Sequence, residues 1–249
     1  MSRLVLITGG GTGLGRAMAE RFATGGDRVV ITGRRVEILR RTATELGGGV
    51  TAIPCNHADP GEVAHLAATL DGTIDVIVNN AGGNTDIGAS PAEDITSSLT
   101  DGLAAVAESW RRNLDANLIS AVLTTSALLE RVPDDGRLIH IGSIAADKGA
   151  GSYGAAKAAL ASWNIDLARA VGRRGITSNI LSPGYTLDTE FFKDTMTAAG
   201  HAARVGATAV GRAGTPLDIA ETAWFLASPQ ARTITAQTLK VDGGAYPSR

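Results

Sequence analysis

The sequence predicts an α/β protein in which one open, doubly wound, mostly parallel sheet of seven strands carries helices on both faces. Short apolar runs rich in branched residues alternate with longer segments of helical period, as in parallel strands joined by crossover helices. No Pro/Ser-rich linker and no repeat of solenoid period divides the 249 residues. We therefore expect a single domain over residues 1–249.

The elements follow one another in strand–helix order. The predicted strands are Leu4–Ile7, Val29–Ile31, Val50–Ile53, Asp75–Val78, Leu138–Ile141, Thr177–Leu181 and Thr238–Val241. The clearest predicted helices are Leu14–Ala23, Val36–Leu46, Leu103–Leu129, Tyr153–Val171 and Pro216–Ala227. At least six helices are expected, enough to cover both faces of the sheet.

Composition excludes several classes of function. The net charge of -2 and the 4% of aromatic residues provide neither a basic stripe nor stacking platforms, so we expect no nucleic-acid binding. No apolar run approaches 18 residues and no signal-peptide pattern precedes the first strand, so we expect neither membrane spanning nor secretion. Cys55 is the only cysteine, and a chain of this size needs neither disulfide nor metal. A cytoplasmic location fits best.

A glycine-rich turn joins the first strand to the first helix, in the run from Thr8 to Gly15. Glycines let the backbone approach a pyrophosphate, and the start of the following helix favours its negative charge. A P-loop would need Gly-Lys-Ser/Thr at its end, which this turn lacks. The position therefore predicts a Rossmann fold that binds a dinucleotide. The predicted contacts in the turn are Gly9, Gly11, Thr12, Gly13 and Leu14.

The end of the second strand indicates which dinucleotide is bound. NAD-binding domains place an acidic residue there for the adenosine ribose, whereas this chain has Gly33, Arg34 and Arg35. Two guanidinium groups suit the 2′-phosphate of NADP through charge-assisted hydrogen bonds, so we predict NADP(H) rather than NAD(H). The alternative is that both arginines are solvated surface charges. Because cations near a helix N-terminus are mildly unfavourable, some partner is expected for them.

Tyr153 and Lys157 are four residues apart in a predicted helix and so face the same side. A tyrosine holds its proton to a pH near 10, and a neighbouring cation that stabilises the phenolate would lower that pKa. The pair could therefore serve as a general acid or base. The same spacing is also ordinary in amphipathic helices, so the pair needs support from the rest of the chain.

That support comes from further motifs in a fixed order, through which the chain resembles the short-chain dehydrogenase/reductase family over nearly its whole length. Beyond the glycine turn these are Asn79-Asn-Ala-Gly82, Asn117, Ser143 with Tyr153 and Lys157, Ser182-Pro-Gly184, Gly211-Arg-Ala-Gly-Thr-Pro216, Phe225-Leu-Ala-Ser228 and Val241-Asp-Gly-Gly244. The resemblance implies hydride transfer between a nicotinamide and a carbonyl or carbinol carbon, with no metal.

The resemblance also implies a role for each member of a catalytic tetrad. Ser143 would bind the carbonyl oxygen, and Tyr153 would exchange the proton. Lys157 would lower the Tyr153 pKa and bind the nicotinamide ribose, while Asn117 would hold a water that links Lys157 to solvent. Each could instead be a structural residue. The further cofactor contacts implied are Asn56, His57, Asn80, Ala81, Gly82, Pro183, Gly184 and Thr186.

Several segments depart from the family pattern. Ser143 and Tyr153 are ten residues apart, about three fewer than usual, and the intervening loop carries Gly149 and Gly151. The stretch from Gly82 to Asn117 is about a dozen residues longer than usual, and its turn-rich part 84–94 is either a lid or interface arm, or a tolerated surface loop.

A substrate lid is expected at about 185–212, where Thr186 or Thr189 would reach the nicotinamide. Phe191, Phe192 and Met196 would line the lid with apolar surface or form helix core. In the adenine region Asn56 replaces the usual aspartate, and His57 is expected to make a local polar contact rather than to act in catalysis.

The sequence thus predicts an NADP-dependent carbonyl reductase or alcohol dehydrogenase with a small-molecule carbonyl or alcohol substrate. One alternative is an NAD-dependent alcohol or sugar-alcohol dehydrogenase, and another is a non-catalytic NADP-binding regulator or scaffold. The resemblance implies a homo-oligomer, a dimer or a tetramer, and the small-residue run Ala155–Ala161 would permit close helix packing.

Overall fold

A computed structural model describes residues 2–87, 99–190 and 196–247. Its sheet has seven strands in the order β3-β2-β1-β4-β5-β6-β7, and every neighbouring pair is parallel. The strands are β1 Leu4–Thr8, β2 Arg28–Gly33, β3 Val50–Pro54, β4 Val76–Asn79, β5 Arg137–Ile141, β6 Thr177–Pro183 and β7 Thr238–Val241. The predicted doubly wound fold is confirmed.

Helices cover both faces of this sheet. They are α1 Gly13–Thr24, α2 Val36–Leu46, α3 Pro60–Thr69, α4 Leu99–Leu114, α5 Ser120–Leu128, α6 Ala145–Lys148, α7 Gly151–Val171, α8 Ala198–Gly206 and α9 Pro216–Leu226. None of the described helices is long and apolar enough to cross a membrane.

Alternation along the strands builds two hydrophobic cores. Val5 and Ile7 of β1 face a cluster with α1, α2 and α9, whereas Leu4 and Leu6 face a cluster with α3, α5 and α7. Successive side chains of a strand point to opposite faces, so a strand buried on both faces is apolar throughout. All five residues of β1 are buried. Strand β1 is therefore held on both faces, and it places the glycine turn at the carboxyl end of the central strands.

The long helix predicted over Leu103–Leu129 is divided in the structure. A π-helical turn, Asp115–Ile119, separates α4 from α5. A search for a 3.6-residue hydrophobic period does not detect the one extra residue of such a turn. Such π-helical turns often occur at functional sites. Here the turn contains Asn117.

Three helices were not among those predicted individually. Asp59 accepts a hydrogen bond from the Glu62 N–H at 2.8 Å and Pro60 occupies the first turn, which together start α3. Thr197 caps α8 in the same way through the Gly200 N–H. The short α6 lies in the segment between Ser143 and Tyr153 that was predicted as a loop.

Candidate active site

A groove of about 1090 Å³ runs along the carboxyl ends of the strands, where the strand order reverses between β1 and β4. Open α/β sheets bind ligands at this switch point. The structure brings every predicted cofactor residue to the lining of this groove, together with Ser143, Tyr153 and Lys157. Asn117 is buried behind the wall and does not line it.

The glycine turn is packed too tightly for side chains. Gly9 has φ +66°, and a Cβ on Gly15 would lie 2.2 Å from the Gly9 carbonyl oxygen. The Asn80 side-chain amide donates to the carbonyl oxygens of Thr8 and Gly9 at 2.9 and 3.0 Å. The Thr8 hydroxyl accepts from the Asn80 and Ala81 N–H groups. The turn after β1 and the turn after β4 therefore brace each other and leave the backbone open toward the groove.

The start of α1 is suited to an anion. Thr12 occupies its N-cap position, but the Thr12 side chain makes no capping hydrogen bond. The first amides of a helix lack partners within the helix, and they carry the positive end of its dipole. This chain's residues therefore fit the pyrophosphate of a dinucleotide, whose oxygens such amides bind.

Arg34 and Arg35 follow β2 at the outer end of the groove, and both are exposed. Arg35 forms an ion pair with Glu190, with 2.7 Å between Nη2 and Oε2. The hydrogen bond and negative charge of Glu190 raise the pKa of Arg35. A partner for Arg35 thus exists within the chain, in the segment predicted as the lid.

The adenine end of the groove contains Asn56 and His57. His57 is buried, with 2.6 Å between its Nε2 and the Thr32 hydroxyl and 2.8 Å between its Nδ1 and the Thr124 hydroxyl. Burial lowers the pKa of His57 to about 4. Since both ring nitrogens are hydrogen-bonded to threonines, the imidazole can make only van der Waals contacts with a cofactor. Asn56 lines the groove, and its backbone N–H donates to Glu62 at 2.7 Å.

Tyr153 and Lys157 project from the first turns of α7, and Ser143 follows β5. Ser143 and Tyr153 both line the groove, and Ser143 is near enough to influence the pKa of Tyr153. The Lys157 ammonium lies 5.9 Å from the centre of the Tyr153 ring and donates to the Ile141 carbonyl oxygen at 2.7 Å. These three side chains therefore converge on one wall of the groove.

Burial governs the protonation of this group. It raises the pKa of Tyr153, with the Ser143 hydrogen bond acting in the opposite direction. It lowers the pKa of Lys157 to about 8. Burial removes water from the Tyr153 phenolate and from the Lys157 ammonium, and so disfavours both charged forms. In the protein without cofactor, desolvation therefore opposes the lowered Tyr153 pKa that the sequence predicts.

Asn117 is fixed by the segment that follows β4. Its Oδ1 accepts from the Gly83 N–H at 2.9 Å, and its Nδ2 donates to the carbonyl oxygens of Gly83 and Asn113 at 2.9 and 3.0 Å. The carboxamide is thus engaged within the protein. A water between Lys157 and solvent, as implied for this residue, would have to be held by the main chain of the π-helical turn.

Asp86 is a site residue that the sequence reasoning missed. Its carboxylate accepts hydrogen bonds from Ser109 at 2.6 Å, Ser152 at 2.8 Å and Asn113 at 2.9 Å. Burial raises its pKa, but these hydrogen bonds and the charge of Arg112 outweigh that effect and lower it. Asp86 thereby ties the long segment after Gly82 to the residue preceding Tyr153. Only its place in that unusual insertion could have drawn attention to it.

The short connection from Ser143 to Tyr153 depends on its glycines. Gly149 has φ +70° and Gly151 has φ +54°, the left-handed region that glycine enters without strain. Asp147 of α6 pairs with Lys240 at 3.0 Å. The connection is therefore held at α6 by this ion pair and at Ser152 by Asp86.

In the described part of the segment predicted as a lid, both threonine candidates lie beside the groove. Thr186 is buried, and its hydroxyl donates to the Gly184 carbonyl oxygen at 3.3 Å, whereas Thr189 lies next to Gly13 of the glycine turn. Tyr185 pairs its hydroxyl with His201 Nδ1 of α8 at 2.9 Å. Phe191, Phe192 and the part of the insertion from 88 to 94 lie outside the described residues, while Met196 is half-buried.

No group of three or more His, Cys, Asp or Glu side chains is arranged as a metal site within residues 2–87, 99–190 and 196–247. The groove offers glycine backbone, hydroxyls and guanidinium groups instead.

Comparison with known proteins agrees with this geometry. A family model described as enoyl-(acyl carrier protein) reductase matches residues 9–246. The 3-oxoacyl-[acyl-carrier-protein] reductase FabG of Escherichia coli K12 is 33% identical over 254 residues, covering 98% of this chain and 97% of its own.

Two solved structures are similar over nearly the whole chain. A short-chain dehydrogenase from Burkholderia cenocepacia J2315 in complex with NADP has a TM-score of 0.84 at 31% identity and covers 98% of this chain and 97% of its own. A blue fluorescent protein from a metagenomic library in complex with NADPH has a TM-score of 0.83 at 30% identity and covers 98% of each chain.

Proposed function

The chain belongs to the short-chain dehydrogenase/reductase family and is an oxidoreductase of that family, and we propose that it is an NADP(H)-dependent carbonyl reductase whose acid/base group is Tyr153. The observation that carries the proposal is the placement of Ser143, Tyr153 and Lys157 together on the wall of a groove that begins at the glycine turn. Two hydroxyls at one point can hold a carbonyl oxygen and deliver a proton to it.

Each residue has a distinct task in this proposal. The bound nicotinamide supplies or accepts the hydride, which side chains cannot do. Ser143 donates to the carbonyl oxygen, where negative charge develops, and Tyr153 delivers the proton to that oxygen. Lys157 is buried and cationic beside Tyr153, so it favours the phenolate left behind and offers its remaining N–H groups to ribose hydroxyls.

Preference for NADP(H) is supported by charge. The residues after β2 present two exposed guanidinium groups where a carboxylate would select NAD(H). The NADP and NADPH bound to the two solved relatives agree with this assignment. The FabG relatives, named as 3-oxoacyl reductases, support a carbonyl substrate.

Self-association is supported by the surface of α4 and α7. Leu103, Val106 and Trp110 of α4 are 61%, 51% and 45% exposed, and Ile165 of α7 is 41% exposed. An exposed apolar stripe of this kind is typical of an interface. We propose that α4 and α7 of two copies pack together, with the small exposed Ala158 and Ser162 permitting close approach.

The substitution Tyr153→Phe tests the function. Turnover of a ketone found by screening, followed by NADPH absorbance, should fall by about 100-fold or more, because general acid catalysis contributes about that much. NADPH binding should be unchanged, since the phenol is not required to hold the pyrophosphate. Full activity in this variant would refute the mechanism, and NADH and NADPH of equal affinity would refute the cofactor assignment.

A further inference from the structure

Resting on the NADP(H) assignment above, we propose that Glu190 is a specificity-determining residue. In the free protein its carboxylate is paired with the Arg35 guanidinium, and the 2′-phosphate of the cofactor must displace it. Glu190 would thereby weaken binding of NADPH without affecting NADH. This competition is separate from the question of whether Arg35 binds the phosphate at all.

The contact has the geometry of a bound oxyanion. Arg35 Nη1 donates to Glu190 Oε1 at 3.1 Å, and Arg35 Nη2 donates to Oε2 at 2.7 Å. In this two-point arrangement the carboxylate binds the same N–H edge of the guanidinium that a phosphate would bind. The Glu190 carboxylate therefore stands where two oxygens of a 2′-phosphate would be held.

The contact also reaches the glycine turn. Arg35 Nη2 donates to the Thr12 hydroxyl at 3.1 Å, and that hydroxyl lies 3.3 Å from Glu190 Oε2. Thr12 begins α1, whereas Glu190 belongs to the lid segment that follows β6. The three side chains thus connect the lid to the phosphate-binding end of the groove.

The neighbouring charges do not replace Glu190. Glu37 pairs with Arg40 at 3.0 Å, and Glu45 pairs with Arg16 at 3.2 Å. Among the described residues, Glu190 is the carboxylate that forms an ion pair with Arg35. Removal of its charge therefore removes the ion pair with Arg35 and leaves the Glu37–Arg40 and Glu45–Arg16 pairs in place.

The competition should be measurable but incomplete. Arg35 and Glu190 are 54% and 51% exposed, and ion pairs in water are weak. A phosphate carries more charge and more acceptor oxygens than a carboxylate, so it binds Arg35 more strongly than Glu190 does. We expect Glu190→Gln to tighten NADPH binding about two- to fivefold, the range that loss of one exposed ion pair allows. NADH lacks the phosphate, so its affinity should stay constant.

The experiment compares four proteins by fluorescence titration with NADPH and NADH: wild type, Glu190→Gln, Arg35→Gln and the double variant. Glu37→Gln is the matched control, because it removes one exposed negative charge near Arg35 without touching it. The proposal expects a gain for NADPH in Glu190→Gln only, and no further gain from that change once Arg35 is replaced. Calorimetry with 2′-phospho-AMP and AMP isolates the phosphate.

The outcomes separate the two proposals. Unchanged NADPH affinity in Glu190→Gln, with weakened affinity in Arg35→Gln, overturns the role of Glu190 and leaves the cofactor assignment standing. Unchanged NADPH affinity in Arg35→Gln overturns the assignment of Arg35 itself. A loss of NADH affinity in Glu190→Gln with no gain for NADPH would place the carboxylate on the ribose, and this also overturns the competition.

Discussion

Tyr153 lies where its protonated form is favoured in the free protein. The side chain is 7% exposed, and burial raises its pKa, whereas a carbonyl reductase needs a tyrosine that gives up its proton during the reaction. In the proposed mechanism, the buried Lys157 ammonium would offset the cost of forming the phenolate. Desolvation would keep Tyr153 protonated until it transfers its proton to the substrate oxygen.

Buried histidines should make the stability of the protein depend on pH. Burial lowers the pKa of His57 to about 4, and burial together with the Lys157 charge lowers the pKa of His140 to about 3. As the pH falls below the ordinary value of about 6.5, the unfolded chain binds protons that the folded protein does not. The free energy of unfolding should therefore fall by up to about 1.4 kcal/mol per pH unit for each histidine.

Denaturant unfolding between pH 7.5 and 5 measures this slope. Replacement of either histidine by Asn should make the slope shallower, although each variant will be less stable at pH 7.5 because a buried hydrogen-bond partner is changed. His65 is exposed, so His65→Asn serves as the control. Equal slopes in wild type and in both buried variants would contradict the prediction.

At the scale of the elements, the two unusual segments of the chain meet. The insertion after Gly82 supplies Asp86, and the first turn of α7, at the end of the short connection, supplies Ser152. The Ser152 hydroxyl donates to Asp86 at 2.8 Å. Asn113 of α4 donates to both of them and is fully buried. The start of the helix that carries Tyr153 is therefore fixed from outside the shortened loop.

Asp86→Ala should reduce kcat more than it changes KM or NADPH affinity. The change leaves the buried Asn113 and Ser152 without their shared acceptor, at a cost of about 1–3 kcal/mol in stability. Because Ser152 precedes Tyr153, the phenol should lose its fixed position, with a fall in kcat of up to about 100-fold for a displacement near 1 Å. Steady-state kinetics and thermal denaturation measure the two effects.

Asp86→Asn should recover part of the activity, because an amide oxygen still accepts a hydrogen bond. Asp71 is an exposed carboxylate in the connection after α3, and Asp71→Ala is the control for loss of one negative charge. If kcat of Asp86→Ala stayed at the wild-type value while stability fell, the residue would have only a structural role.

At the scale of the whole molecule, the sheet and its two cores position the site, and one side of α4 exposes a row of apolar side chains. Leu103, Val106 and Trp110 are spaced three and four residues apart and so share one side of α4. Exposure of this much apolar surface is unfavourable in an isolated chain. Association of copies through this surface would remove it from water.

The double change Val106→Glu and Trp110→Glu should therefore lower the oligomeric state. Charges placed in the apolar centre of an interface are desolvated without partners, which opposes association. Sedimentation velocity at a fixed protein concentration measures the outcome. Ala105→Glu, on a different side of the same helix, should leave the oligomer intact, and an unchanged oligomer in the double variant would exclude this surface.

The sequence by itself determined the order of strands and helices, the glycine turn, and the presence of Ser143, Tyr153 and Lys157. These features depend on local periodicity and on residue types that a family motif preserves. The predicted strands agree with the structure to within about two residues at each end. The π-helical turn at Asn117 was missed because a one-residue excess leaves the helical pattern on either side intact.

Only the tertiary structure decided which distant side chains meet. Glu190 is 155 residues from Arg35, and Asp86 is 66 residues from Ser152, so no spacing rule could pair them. The same holds for His57, whose two threonine partners lie on β2 and α5. Local sequence specifies the elements through backbone preference and alternation, but contacts across the groove arise only when the sheet brings its carboxyl ends together.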